Sequence, residues 1–80
     1  MTTGLATAKR INELLFERDW SLYKLSREAC LPMSTLTNLY NGHTKSPTLA
    51  LICKVAEAFG ITIIEFLDNP LFYSNNLDVD

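Results

Sequence analysis

The segment SLYKLSREACLPMSTLTNLYNG, residues 21–42, constrains the fold of this chain more than any other stretch. Apolar residues recur at helical spacing on both sides of Cys30-Leu31-Pro32, namely Leu22, Leu25 and Ala29 before it and Leu36 and Leu39 after it. Ser21 can cap the first helix, Pro32 is tolerated in the first turn of the second, and Gly42 can end it in a left-handed conformation. The pattern predicts two short helices joined by a tight turn, which is a helix-turn-helix.

Residues on both sides of this segment extend the pattern. The residues concerned are RINELL at 10–15 and SPTLALICKVAEAFGITIIEFL at 46–67, with Ser21, Leu25, Ala29, Ser34-Thr35-Leu36-Thr37, Leu39 and Asn41-Gly42 between them. Together they resemble the Cro/repressor type of helix-turn-helix, the XRE family, over residues 8–67, and this whole pattern is far more specific than a helix-turn-helix alone. The resemblance implies an all-α, compact five-helix lambda-repressor-like domain at residues 5–68. A C-terminal tail at residues 69–80 is expected to be partly ordered or a dimer contact.

Apolar periodicity and capping residues predict the three helices outside the central segment. Helix 1 should run from about Thr7 to Arg18. Thr48 can cap helix 4 and Gly60 can end it, while Thr62 and Glu65 predict a capping box that opens helix 5. The predicted core faces are Ala8, Ile11, Leu14 and Leu15 in helix 1, Leu49, Ile52, Val55, Ala56 and Phe59 in helix 4, and Ile63, Phe66 and Leu67 in helix 5.

Aromatic residues outside these faces have more than one interpretation. Phe16 falls off the apolar stripe of helix 1 and is either a contact with a second subunit or a cover for the edge of the core, the second being favoured. Trp20, just before the Ser21 cap, is expected to close the core rather than to stack on a base. Asn69-Pro70 should stop helix 5. Residues 71–73 are then expected to dock on their own subunit or to contact a second one, and the last few residues to be disordered.

Length and composition exclude several classes of protein. The 80 residues suffice for one small domain but are few for an enzyme with a deep pocket, and His43 has no companion nucleophile at a recognisable spacing. No apolar stretch approaches the length of about eighteen residues that a membrane span needs, so we expect a cytoplasmic protein. Cys30, Cys53 and His43 do not frame a zinc site. No metal, cofactor or small-molecule ligand is expected. Both thiols are predicted to be buried or half-buried, and a redox switch is the less favoured alternative.

The net charge of −2 is unevenly distributed along the chain. Residues 1–64 contain seven Lys and Arg against five acids, a balance of +2, while the other four acids lie in residues 65–80. Neutralising phosphates supplies most of the non-specific affinity of a protein for DNA, so the distribution of charge matters more than its sum. The segment that is expected to meet DNA is therefore mildly basic.

The second helix of a helix-turn-helix reads bases, because its N-terminal part faces the base edges in the major groove. With Leu36 and Leu39 facing inward, the side chains expected to contact bases are Met33, Ser34, Thr35, Thr37 and Asn38. Asn38 can bond adenine in a bidentate manner, and the methyl groups of Met33 or of the threonines can touch thymine. A set without Arg or Gln predicts modest specificity per half-site. For Ser34, Thr35 and Thr37, the alternative to base contact is a polar face exposed to solvent.

The resemblance also implies contacts with the DNA backbone. The polar loop after the second helix runs beside DNA in this fold, which makes Asn41, His43, Thr44 and Lys45 candidates for phosphate contact. The start of helix 2 adds Ser21, Tyr23 and Lys24 to the candidates. A solvated connector is the alternative for the loop, and it weighs equally with phosphate contact for His43.

Three positions depart from the family pattern. Leu22 stands where helix 2 commonly begins with Gln, and it cannot brace the recognition helix or reach a base by hydrogen bonding. Ser26 takes a position that is usually Ala. Cys30 replaces the usual turn Gly, so the left-handed geometry of that turn is an open question.

The expected function is that of a sequence-specific DNA-binding transcriptional regulator, repressor-like, which occupies a double-stranded operator. One domain of this size covers little DNA, so a homodimer on half-sites about one helical turn apart is expected. The alternative is a protein-interaction module of the same fold, such as an antitoxin or an anti-repressor, with weak or no DNA binding. Leu22, the acidic total and the apolar residues 71–73 keep this alternative open.

Overall fold

The computed structural model describes residues 1–73 and 75–77, which form five α-helices and one short 3-10 helix. In chain order these are α1 (Thr3–Arg18), α2 (Leu22–Ala29), α3 (Met33–Tyr40), α4 (Leu49–Ala58), α5 (Ile63–Leu67) and the 3-10 helix Pro70–Phe72. Residues 1–73 and 75–77 contain no strand, so the all-α, five-helix prediction is confirmed. In the same part of the chain, no helix is long and apolar enough to cross a membrane.

Every helix contributes a side chain to one core. The largest apolar side chains at full burial are those of Ile11 from α1, Leu25 from α2, Leu36 and Leu39 from α3, Val55 from α4, Phe59 at the end of α4, and Phe66 from α5. α1 packs on α3, α2 packs on both α3 and α4, and α4 packs on α5. Burying an aliphatic or aromatic side chain of this size contributes about 1.5–3 kcal/mol relative to leaving it exposed. Since both leucines of α3 are at full burial, α3 is held firmly against the rest of the domain.

α1 begins at Thr3, four residues before the predicted start near Thr7. The Thr2 hydroxyl accepts a hydrogen bond of 3.1 Å from the Leu5 N–H and so caps the helix. The buried residues of the added turn are the small Gly4 and Ala6, which do not make an apolar stripe, and its one large apolar residue, Leu5, is exposed. Thr7 is tolerated in the interior because its hydroxyl donates to the Thr3 carbonyl at 2.8 Å.

Two apolar side chains lie outside the core, contrary to prediction. Phe16 is 89% exposed, so it does not cover the edge of the core, and Leu49 is 66% exposed, so it does not belong to the buried face of α4. Phe16 lies off the Ile11 stripe, and Leu49 is the first residue of its helix, beyond the reach of the packed neighbours. Trp20 packs as predicted, because its ring stacks on Phe59 at 5.2 Å between centroids.

Two arginines of α1 cap the C-termini of other helices. Arg10 donates from Nε to the Phe66 carbonyl at 2.8 Å and from Nη2 to the Glu65 carbonyl at 3.1 Å, and Arg18 donates to the Phe59 carbonyl. The last carbonyls of a helix lack intrahelical partners and carry partial negative charge, so a guanidinium satisfies both needs. α1 therefore ties the ends of α4 and α5 to itself by charge as well as by packing.

The predicted caps at Ser21, Thr48 and Thr62 are confirmed. Each hydroxyl accepts from the backbone N–H three residues later, at 3.1, 3.1 and 3.0 Å respectively. In α5 the Glu65 carboxylate also accepts from the Thr62 N–H at 3.2 Å, which completes the capping box. Pro32 is the N-cap of α3 rather than a residue of its first turn, and it makes no side-chain capping bond.

Thr62→Ala tests the capping box of α5. The substitution removes the hydroxyl that accepts from the Glu65 N–H, and loss of such a cap costs about 0.5–2 kcal/mol of unfolding free energy. Urea denaturation followed by circular dichroism would measure the loss. Thr62→Ser keeps the hydroxyl and should stay within about 0.5 kcal/mol of the parent; an equal loss in both variants would mean that the cap is not the cause.

The turn between α2 and α3 is left-handed even though it lacks glycine. Cys30 has φ 55°, and the Leu31 N–H donates to the Ser26 carbonyl at 3.1 Å. Ser26, in the position that is usually Ala, donates from its hydroxyl to the Leu31 carbonyl at 2.7 Å and so adds a bond across the turn. Cys30 is exposed, which contradicts the predicted burial, whereas Cys53 is half-buried as predicted. The left-handed conformation points the Cys30 side chain away from the core.

The residues after α5 pack back on α1 and on α5 itself. The Phe72 ring lies 6.0 Å from the Phe66 ring between centroids, and the Asn69 amide donates to the Glu13 carboxylate at 3.1 Å. Helix 5 ends at Leu67, just before the predicted stop. Tyr73 is exposed. The disorder predicted for the last few residues concerns residues 78–80, which lie outside the described part of the chain.

Candidate nucleic-acid interface

α3 separates its apolar and polar side chains cleanly. Leu36 and Leu39 are 0% and 1% exposed, whereas Ser34, Thr37 and Asn38 are exposed. The three polar residues follow an i, i+3, i+4 spacing, so they lie on one face of the helix. Of the other two predicted base-contacting residues, Met33 is 39% exposed and Thr35 is half-buried.

The polar face of α3 keeps its side-chain hydrogen-bonding groups unused. Within residues 1–73 and 75–77, the side chains of Ser34, Thr37 and Asn38 make no hydrogen bond to the protein. The backbone around them is well anchored, because the Asn38 carbonyl accepts from the His43 N–H at 2.9 Å. At the end of α3, the Tyr40 hydroxyl donates to the Asn12 side chain at 3.4 Å and ties this helix to α1. The arrangement presents free donors and acceptors on a fixed helix.

Backbone hydrogen bonds tie the loop between α3 and α4 to both α3 and α1. The His43 N–H donates to Asn38 at the end of α3, and the Gly4 N–H at the start of α1 donates to the Lys45 carbonyl at 2.9 Å. The Asn41, His43 and Lys45 side chains are exposed, and Thr44 is half-buried. The backbone of the loop is thus fixed on both sides, while the Asn41, His43 and Lys45 side chains remain open to solvent.

The start of α2 carries the remaining predicted phosphate contacts. Ser21 uses one lone pair as the helix cap, which leaves its O–H free to donate. The Lys24 ammonium lies 3.7 Å from the Glu28 carboxylate, with both side chains half exposed, and 5.0 Å from the centre of the Trp20 ring. Exposed ion pairs contribute only about 0–1 kcal/mol, so Lys24 can exchange Glu28 for another anion at little cost. Tyr23 is 58% exposed.

The structure divides the seven Lys and Arg residues into two groups. Arg10 and Arg18 are engaged with helix C-termini, a role that the sequence did not reveal. The other five cations, Lys9, Lys24, Arg27, Lys45 and Lys54, are exposed; Arg18 is exposed as well, but its guanidinium is held by the Phe59 carbonyl. Counting every basic residue before Glu65 therefore overstates the positive charge that is free to meet a phosphate.

Other kinds of site find little support in the described residues. Among residues 1–73 and 75–77, no group of three or more His, Cys, Asp or Glu could hold a metal ion. An open groove of about 530 Å³ lies where α1, the start of α2 and the end of α3 meet, and its lining includes Phe16, Trp20, Leu22 and Tyr40.

Comparison with known proteins identifies the domain. Residues 10–69 match the Cro/C1-type HTH DNA-binding domain, which is a DNA-binding class and not an enzymatic one. The crystal structure of the prophage Lp1 protein 11 is similar to this chain, with a TM-score of 0.79 and 28% sequence identity over 92% of this chain and 99% of that chain. No curated protein matches the sequence. The family match spans most of the chain and includes α2, the turn and α3, so this protein belongs to the Cro/C1-type helix-turn-helix DNA-binding family.

Proposed function

We propose that this protein is a sequence-specific transcriptional regulator, repressor-like in action, that inserts α3 into the major groove of a double-stranded operator. The observation that carries the proposal is the two-sided character of α3. Leu36 and Leu39 are buried. The polar side chains on the opposite face are exposed and make no hydrogen bond to the described residues of the protein. An operator occupied in this way is closed to the transcription machinery.

The exposed face of α3 supplies the chemistry for reading bases. Asn38 offers the donor and acceptor pair that matches adenine N7 and N6, and Ser34 and Thr37 can bond several bases. Met33, 39% exposed, can contact a thymine methyl, while the half-buried Thr35 has less surface to offer. Each bidentate contact discriminates by about 1–3 kcal/mol, so the half-site is expected to be short.

Phosphate contacts would come from both sides of α3. On one side are Ser21, Tyr23 and Lys24 at the start of α2, and on the other are Asn41, His43, Thr44 and Lys45 in the following loop. Such contacts set the register of a protein on the duplex and supply affinity that does not depend on sequence. With few free cations, this domain should bind non-specific DNA weakly and depend on a second copy for tight binding.

A homodimer on DNA fits the dimensions of the domain. Its longest axis is 33 Å, and its other axes are 23 and 21 Å. Half-sites one helical turn apart are separated by about 34–36 Å, so two copies with α3 in successive major grooves can touch each other. Paired half-sites would also double the number of base contacts that a single short helix can make.

Selection of bound duplexes from a random pool is the most direct test of this function. We expect a short, symmetric sequence whose half-sites are about ten base pairs apart. A pool that remains random after selection, at low as well as moderate salt, would contradict sequence-specific binding. An enriched sequence without symmetry would contradict the dimer but not the recognition by α3.

Lys45→Ala tests the phosphate contacts of the loop. Removal of one phosphate contact should weaken binding to all sequences and flatten the slope of log K against log salt by about 1. Fluorescence polarisation titrations at several salt concentrations would measure both effects. Lys54→Ala removes the same charge from α4 and serves as the matched control, since it should leave the slope unchanged. If Lys45→Ala has the same slope of log K against log salt as the parent, Lys45 does not contact a phosphate.

A protein-interaction module is the second candidate, and one observation favours it. Phe16 is 89% exposed beside the groove that includes Trp20, Leu22 and Tyr40, which is an arrangement suited to an apolar partner. DNA binding that weakens steeply with salt would support the regulator. Absence of binding to any duplex at low salt would favour the interaction module.

A further inference from the structure

The first turn of α1 and the loop after α3 touch through bare backbone at Gly4. A Cβ atom added to Gly4 would lie 1.7 Å from the Thr44 carbonyl oxygen and 2.9 Å from the Lys45 carbonyl oxygen. The Gly4 N–H itself donates to the Lys45 carbonyl at 2.9 Å. This N–H belongs to the group at a helix N-terminus that has no intrahelical partner, so the loop supplies the acceptor that α1 lacks.

The start of the same loop also rests on α1. A Cβ atom added to Gly42 would lie 3.5 Å from the Leu5 Cδ1 atom, which is an ordinary contact distance. The loop is thus supported by α1 at Leu5 and again at Gly4. Of these contacts, only the one at Gly4 requires the absence of a side chain, because the loop backbone occupies the space where a Cβ would stand.

We infer that Gly4 is a positioning residue for DNA binding, which sets the place of the loop residues His43, Thr44 and Lys45 against the phosphates. The inference rests on the proposed function, since it assumes that this loop contacts the DNA backbone. Gly4 touches no DNA in this account. It acts by letting the loop lie close to α1 and by holding the Lys45 carbonyl with its N–H.

Any side chain at position 4 would move the loop. Cβ atoms essentially never lie within 3.0 Å of another residue's backbone, so in Gly4→Ala the Thr44 carbonyl must retreat by about 1.3 Å or more. Hydrogen bonds span about 2.7–3.2 Å between heavy atoms, and a shift of this size breaks or lengthens them. Alanine is a better helix former than glycine, so a loss of DNA binding in Gly4→Ala would not arise from a weaker helix.

A double-mutant cycle of Gly4→Ala and Lys45→Ala tests the inference in the full chain. We expect Gly4→Ala to weaken binding to every duplex by about tenfold and to flatten the salt slope by about 1, as Lys45→Ala does. The double variant should show no further flattening, because both changes remove the same phosphate contact. Gly60→Ala is the control: Gly60 has φ 75°, so alanine strains the backbone, but no atom lies within 4 Å of the added Cβ. It should lose thermal stability and keep the parent salt slope.

The outcomes separate this inference from the proposed function. If Lys45→Ala flattens the slope and a folded Gly4→Ala does not, the loop contacts phosphate but Gly4 does not position it, and the inference is wrong. The inference is also wrong if the double variant flattens the salt slope by the sum of the two single effects. If Lys45→Ala leaves the slope unchanged while Gly4→Ala binds like the parent, the phosphate role of the loop fails, and the inference fails with it.

Hydrogen exchange in the parent protein provides a test that does not depend on the folding of a variant. Binding of DNA to the loop should slow exchange of the Gly4 amide by several-fold, because this amide donates to the Lys45 carbonyl of the loop. The Glu65 amide, capped by Thr62 within α5, is the internal reference and should not change to the same extent. Equal protection of both amides, or none at Gly4, would overturn the coupling between Gly4 and the bound loop.

Discussion

Phe66→Ala should lower the free energy of unfolding by about 3–5 kcal/mol, which is the range for removing a buried phenylalanine. The Phe66 side chain is 0% exposed, and its ring packs on Phe72 and lies 5.9 Å from the Arg10 guanidinium carbon. Truncation leaves a cavity in the core and removes both ring contacts. It also weakens the packing of α5 next to Arg10, whose guanidinium caps the end of that helix.

This loss is large compared with the stability of so small a domain. Natural domains have about 0.05–0.15 kcal/mol per residue of unfolding free energy, which for a chain of this length amounts to roughly 4–12 kcal/mol. Urea denaturation followed by circular dichroism would measure the change as a lower midpoint with a similar slope. If the parent lies at the lower end of that range, the variant would be largely unfolded even without urea.

Phe16→Ala is the matched control, because it is the same substitution at an 89% exposed position of α1. It should change the unfolding free energy by no more than about 0.5 kcal/mol. Equal losses at positions 16 and 66 would show that Phe16 is covered in solution, for example by a second copy of the chain. A loss below about 1 kcal/mol in Phe66→Ala would contradict the packing described for α5.

Asn38→Ala should reduce the preference for the operator by about 5- to 150-fold per half-site, which corresponds to the 1–3 kcal/mol of a bidentate base contact. The amide lies on the exposed face of α3 and makes no hydrogen bond within the described residues, so its loss should leave the fold intact. Binding to unrelated duplexes should persist, since phosphate contacts supply it. The ratio of affinities for the selected operator and a scrambled duplex, measured by polarisation at fixed salt, checks the prediction.

Asn75→Ala removes an exposed amide from the tail and is the control for this experiment. It should leave the ratio of affinities at its parent value. If Asn38→Ala lowers the affinity for the operator and for the scrambled duplex by the same factor, Asn38 contributes to affinity without reading a base. If the ratio and both affinities stay unchanged, α3 does not present Asn38 to DNA.

Patterns within a few residues of each other predicted most of the secondary structure. Ser21, Thr48 and Thr62 cap helices where expected, and the leucines of α2 and α3 and the predicted apolar face of helix 4, apart from Leu49, lie in one core. These features depend on spacing along a helix and on bonds to the next turn, which the order of residues specifies directly. The same reasoning failed for the start of α1, because the buried residues of its first turn are small.

Other features that escaped prediction are formed by residues far apart in the chain. Arg10 and Arg18 lie on α1 like any other surface cations, and only the positions of α4 and α5 show that they cap those helices. The left-handed Cys30 is a local exception: non-glycine residues rarely adopt this conformation, so its identity gave no sign of it, although Ser26 and Leu31 bond across the turn. The exposure of Phe16 likewise depends on which faces of α1 its neighbours cover.

The sequence by itself determined the family, the order of the helices and the side chains of α3 that are candidates for reading DNA, because apolar period, caps and turn residues act locally. Only the tertiary structure decided which cations are free to meet a phosphate and why position 4 has no side chain. Both depend on the placement of one element against another, at distances of about 3 Å between residues some 40 or more positions apart. Such contacts follow from the packing of the whole core, and no spacing pattern in the sequence indicates them.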